Sequence, residues 1–118
     1  PMNVVLSNMI STPEGFGVDP AHITVVSRMW AQPGQMTAAE NSLTGMLQFA
    51  RSEPGCASYD LHQGTTEPNQ FIFHESWRNQ AAVDTHLASP QFAAFFAQSG
   101  ELFVTGYIEV NFLQLISQ

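Results

Sequence analysis

CASYDLHQGTTEPNQFIFHESWR, Cys56 to Arg78, is the stretch that decides the fold. Ala57, Tyr59 and Leu61 alternate with Ser58, Asp60 and His62, the two-residue period of a half-buried strand. The polar TTEPN supplies a turn, and QFIFHESWR (70–78) is a second extended run, so the two read as a hairpin. In the second strand Phe71, Phe73, Glu75 and Trp77 share one face, while Ile72, His74 and Ser76 share the other.

The segments on either side of the hairpin match each other. Upstream, HITVVSRMWA (22–31) is β-branched and aromatic and ends at Gln32-Pro33-Gly34, so it is expected to be a strand. Met36, Ala39, Leu43, Met46, Leu47 and Ala50 then recur at helical spacing until Pro54-Gly55 stops the run. Gly45 inside this helix costs about 1 kcal/mol against alanine, which suggests a close approach of helix and sheet there. Downstream, NQAAVDTHLAS predicts a helix capped by Asn79 and broken by Pro90. QFAAFFAQSG continues with Phe92, Phe95 and Phe96 on one face and is expected to close at Gly100. FVTGYIEVNFLQLI (103–116) alternates as a last strand, with Val104, Ile108, Val110 and Phe112 on one face and Tyr107, Leu113 and Leu115 on the other.

The order strand, helix, strand, strand, helix, strand is the ferredoxin-like split βαβ arrangement, an α+β fold with helices on one face of a four-stranded antiparallel sheet. Residues 1–20, with Pro13, Gly15, Gly17 and Pro20, read as an N-terminal arm or leader, and 21–118 as one domain. Apolar residues on both faces of the last strand call for cover on both. A second copy of the chain would supply the missing cover. Charged residues make up only 11% of the chain, against the roughly one quarter usual for a domain, which points the same way. A homodimer is expected, with a higher oligomer left open.

The net charge is −7, with Arg28, Arg51 and Arg78 as the only basic residues besides histidine, which excludes nucleic acid and anionic membrane surfaces as partners. The single cysteine, Cys56, rules out an internal disulfide and reads as a small buried hydrophobe. No stretch is long enough to span a bilayer, and a cytoplasmic location is expected. There is no glycine-rich phosphate loop, dinucleotide fingerprint or tight metal-ligand spacing, so no cofactor and no metal are expected.

Glu53-Pro54-Gly55, Tyr59, Phe73-x-Glu75-x-Trp77 and His86-x-x-Ser89-Pro90-x-Phe92 together resemble the antibiotic biosynthesis monooxygenase (ABM) superfamily, most closely its YgiN-type, quinol monooxygenase-like branch. The similarity covers about residues 22–116. It implies a dimeric α+β barrel, with the sheets packed face to face, the helices outside, and a pocket between each sheet and its helices. In some members it also implies cofactor-independent oxidation of quinols or phenols by O₂. Others are isomerases or degrade haem, but the haem pattern needs an asparagine near Ser27, where this chain departs.

On the Trp77 face, Glu75 would sit among apolar groups that disfavour its charged form, making it a candidate general acid or base. The alternative is a carboxylate that caps a helix or pairs with arginine. His86 is the second catalytic candidate, because the family's histidine falls there; the competing role is a structural hydrogen bond. Trp77, Phe73, Tyr59, Phe92, Phe96 and His62 are expected to line a small aromatic molecule's pocket, with ordinary core packing as the alternative for the aromatics. Whether His62 and His74 share a face depends on a register that the sequence leaves open. Three functions follow as expectations: a monooxygenase of a small quinol or phenol, a proton-transfer isomerase or cyclase acting on a carbonyl compound, and a non-catalytic binding dimer.

Overall fold

The computed structural model describes residues 22–104 and 108–117. The expected arm at 1–20 and Tyr107 lie outside the described residues. Four strands, β1 (Ile23–Trp30), β2 (Cys56–Gln63), β3 (Gln70–Trp77) and β4 (Glu109–Gln114), form one antiparallel sheet in the order β2-β3-β1-β4. Three helices, α1 (Met36–Ser52), α2 (Gln80–Leu87) and α3 (Pro90–Leu102), complete the ferredoxin-like α+β fold.

Register places the side chains. Val25 pairs with Glu75 and Phe112, and Ser27 pairs with Phe73 and Val110; Tyr59 also pairs with Glu75. All of these therefore share the sheet face that carries Trp77. Ala39, Leu43, Met46 and Ala50 of α1 are buried with Val25, Met29, Tyr59, Phe71, Phe73 and Trp77 in one core. Burying this apolar stripe holds α1 in place, since a helix of its length gains most of its stability from tertiary packing.

Several expectations need correction. Ala57 does not alternate with Tyr59, because a bulge between Cys56 and Ser58 gives its place opposite Trp77 to Cys56. Gly45 marks no close approach: it is exposed, and a Cβ built there meets nothing within 4 Å. Met36 is likewise 40% exposed. Gly100 does not close α3, which runs on to Leu102 while Phe103 N–H bonds Ser99 O at 2.9 Å. The last strand is shorter than 103–116, since Phe103 makes only an isolated bridge with Ala31 before β4 begins at Glu109. The helices leave β4's inner face open: Ile108, Val110 and Phe112 are 39%, 48% and 52% exposed.

Capping separates α2 from α3. The Asn79 side chain accepts from Ala82 N–H at 2.9 Å, and Ser89 accepts from Phe92 N–H at 3.1 Å with Pro90 in the first turn. Asn79→Ala is expected to cost about 1 kcal/mol, measurable by urea denaturation, because it orphans a donor at the start of α2.

Candidate functional site

The site is assembled from strand β3 and helix α2. Glu75 is 5% exposed and Trp77 0%, on neighbouring same-face positions of β3. Trp77 Nε1–H donates to Glu75 Oε1 at 2.9 Å, and the Tyr59 hydroxyl donates to the same carboxyl. Burial penalises the Glu75 carboxylate and outweighs those two donors; with a smaller push from the Glu53 charge, it raises the group from 4.5 to about 7. Burial and the Glu75 charge push the Tyr59 phenol far above its ordinary range, so it remains a donor at neutral pH.

Opposite stands His86, 2% exposed, in the last turn of α2. Its Nδ1 lies 2.6 Å from Oε1 of Glu53, the residue that terminates α1. A carboxylate only accepts, so Nδ1 carries the proton and Nε2 is the nitrogen free to meet a ligand. Around it lie the rings of Trp77, Phe92 and Tyr59, at centroid distances of 4.6, 5.5 and 5.8 Å. These contacts fix the imidazole plane, and Glu53 fixes its tautomer.

The turn Glu53-Pro54-Gly55 seats α2. Arg78 N–H bonds Gly55 O at 2.9 Å, and a Cβ on Gly55 would collide with Ala82 of α2. The colliding group is a backbone-fixed methyl, so it cannot rotate aside. Gly55→Ala is expected to cost about 1–3 kcal/mol as overpacking, read as a lower thermal midpoint.

Two adjoining cavities meet at Glu75, with Ser27, Phe92 and Val110 also common to both. The larger, about 120 Å³, is walled by Met29, Met46, Tyr59, Phe73 and Phe103, with Phe96 at 68% exposure on its rim. The smaller, about 60 Å³, is bounded by Val25, Trp77, Val83, His86, Leu87 and Phe112. No arginine lines either. Arg28 faces Glu109 at 4.0 Å, Arg51 binds Tyr59 O and Asp60, and Arg78 binds Pro54 O. Cys56, next to this site on β2, has its thiol pushed up to about 11, by burial first and then by the charges of Glu75 and Glu53.

Of the residues expected at the pocket, Glu75, His86, Trp77, Phe73, Tyr59, Phe92 and Phe96 all come together here. His62 does not: it is exposed and pairs with Ile72, out of phase with Tyr59, so it lies on the opposite sheet face together with His74. Among the described residues no three of His, Cys, Asp and Glu are placed to hold a metal ion. Glu53 is the residue that reading the sequence missed. Its only signal was its place beside the Pro-Gly turn, since nothing in the periodicity links it to a histidine 33 residues away.

The family model for antibiotic biosynthesis monooxygenase matches residues 22–98. A Mycobacterium tuberculosis protein named "Putative monooxygenase Rv0793" is 32% identical over 80 residues, which are 68% of this chain and 78% of that protein. The solved structure of Rv0793 superposes with a TM-score of 0.76 at 30% identity, covering 82% of this chain and 97% of that one. PA3566 from Pseudomonas aeruginosa gives 0.75 at 28% identity, with 83% and 97% covered. An uncharacterized Synechocystis protein, sll1783, is 49% identical over 56 residues, 48% of this chain, and the match spans only 38% of its length. Among the described residues, no helix is long and apolar enough to cross a membrane.

Proposed function

The chain belongs to the antibiotic biosynthesis monooxygenase family, and from that membership we propose that it is a cofactor-independent monooxygenase of the YgiN-type branch, oxidising a small aromatic quinol or phenol with O₂. The observation that carries this reading is a carboxyl held at about 7 inside an almost wholly apolar cleft, with the Glu53–His86 pair at the far lobe. A group that titrates near neutrality is suited to taking and returning a phenolic proton.

The chemistry balances without an external reductant. Glu75 removes the phenolic proton, and the electron-rich ring carbon forms a bond to one atom of O₂, giving a peroxide. The peroxide takes the phenolic proton back from Glu75, and His86 Nε2 then removes the ring C–H proton as the O–O bond breaks. One oxygen stays as a quinone carbonyl, and the other leaves as hydroxide, which takes that proton from His86 Nε2 to become water. All four electrons that reduce O₂ come from the ring, so one arenol and one O₂ give one quinone and one water. Glu53 positions His86, while Tyr59 and Trp77 donate to the Glu75 carboxylate. The apolar walls keep water from the peroxide. The absence of any arginine at the cleft favours an uncharged ring over one bearing a carboxylate, which would be buried unpaired.

The test is oxygen consumption across a panel of quinols and phenols, run with and without O₂. Oxygen-dependent turnover that His86→Ala abolishes is the expected result. Turnover that persists without O₂ assigns the same acid–base pair to an isomerase or cyclase, and ligand-induced stabilisation without turnover leaves only binding.

The same reading includes a homodimer. Val26, Trp30, Ile72 and Leu113 point to the sheet face away from the helices, and β4 leaves Val110 and Phe112 about half exposed. Both features suit a second copy as cover. Sedimentation equilibrium at the mass of one chain would remove the dimer.

A further inference from the structure

We propose that the smaller lobe, the cavity of about 60 Å³ beside His86, is a binding site for dioxygen, separate from the larger lobe that takes the aromatic ring. The inference rests on the monooxygenase reading and adds to it a location for the second reactant.

Size separates the two lobes. An apolar cavity of about 150 Å³ takes benzene, and a water's share of the liquid is about 30 Å³. The larger lobe, at about 120 Å³ and open at the Phe96 rim, accommodates one ring. At about 60 Å³, the smaller lobe holds a diatomic molecule and excludes a ring. Chemistry agrees with size. Val25, Trp77, Val83, Leu87, Phe92, Val110 and Phe112 make most of its wall, with Ser27, Glu75 and His86 as its polar groups, so most of the surface offers water no partner, whereas an apolar gas needs none.

Position completes the argument. Glu75 stands at the junction of the lobes, so a ring whose hydroxyl meets Glu75 presents the carbon ortho to that hydroxyl toward the smaller lobe. His86 lines that lobe, with Nδ1 occupied by Glu53 and Nε2 left to face the oxygen that must depart protonated. O₂ bound there meets the ring from one side while the phenolic proton leaves to Glu75. The O–O bond then breaks next to the proton donor. The lobe thus places both reactants before reaction, which converts a bimolecular encounter into an intramolecular one.

Xenon, an apolar probe that small dry cavities take up, tests the site without turnover. Crystals pressurised with xenon are expected to show it among Val25, Val83, Leu87 and Phe112. Leu87→Phe, at a side chain already 40% exposed and therefore tolerant of size, should displace the xenon. It should also raise the KM for O₂ about tenfold or more, while the anaerobic Kd for the aromatic substrate moves less than about twofold. Val83→Leu fills the lobe from α2 and serves if Leu87→Phe does not fold. An ordered water in place of xenon, or an unchanged KM for O₂ in a variant that has lost xenon, overturns the assignment and leaves the monooxygenase reading standing. Absence of O₂ consumption by the wild type with every arenol removes that reading and the assignment with it.

Discussion

Glu75→Gln is expected to lower kcat/KM for an arenol by about 10²- to 10⁴-fold, the usual contribution of a positioned general base. The amide keeps the shape and can still accept from Trp77, so the loss reports on proton transfer. In the wild type, kcat/KM should rise with pH through about 7 as the carboxyl ionises, and this limb should vanish in the variant. Stability moves in the opposite sense. The carboxyl's value is about 7 when folded and 4.5 otherwise, so below 4.5 both states are protonated and stability from this group is full. Between 4.5 and about 7 the unfolded chain releases the proton while the folded chain keeps it, and stability is lost as pH rises through that window. The shift corresponds to a contribution on the order of 3 kcal/mol. Urea denaturation at pH 4.5 and pH 8 should therefore show the wild type weakening with pH, and Glu75→Gln weakening less. An equal dependence in both would place the titration elsewhere.

Trp77→Ala is expected to cost about 3–5 kcal/mol, a large part of a small domain's total stability. The indole is fully buried, packs at a tilt against His86 and donates to Glu75, so its loss opens a cavity and takes one of the two donors from a buried carboxyl at once. Trp77→Phe separates the two effects. It keeps most of the packing but removes the N–H that favours the charged carboxylate. The midpoint of the pH–activity limb should then rise above about 7. A midpoint that stays put would mean that the indole only packs. Guanidinium unfolding of both variants, read beside their pH profiles, measures each part.

The sheet and its faces were legible because alternation in β3 is strict and a one-residue slip would have put Phe71, Phe73 and Trp77 into water. The same alternation correctly separated His74 from Glu75. It failed in β2, where the bulge at Cys56/Ser58 carries no compositional mark and shifts Ala57 out of phase. It left His62 undecided, because only the pairing with Ile72 fixes the face. The end of α3 was misjudged at Gly100, where glycine's weak propensity is overridden by a helix already anchored by Phe92 and Phe95. Glu53 was the costliest omission. A turn residue becomes the partner of a buried histidine only because the Pro-Gly turn and α2 meet in space, and spacing along the chain cannot encode that meeting.

Cys56 has a consequence for durability. A thiol whose value stands at about 11 is ionised in only about one molecule in ten thousand at neutral pH. The thiolate is the form that reacts with peroxides, and this protein carries no other sulfhydryl. If the proposed oxidation forms a peroxide in the cleft, an ionised thiol beside it would be open to oxidation to sulfenic acid. Burial first, and then the carboxylates of the cleft, passivate this neighbour, so that turnover by the proposed reaction should leave the sulfur reduced.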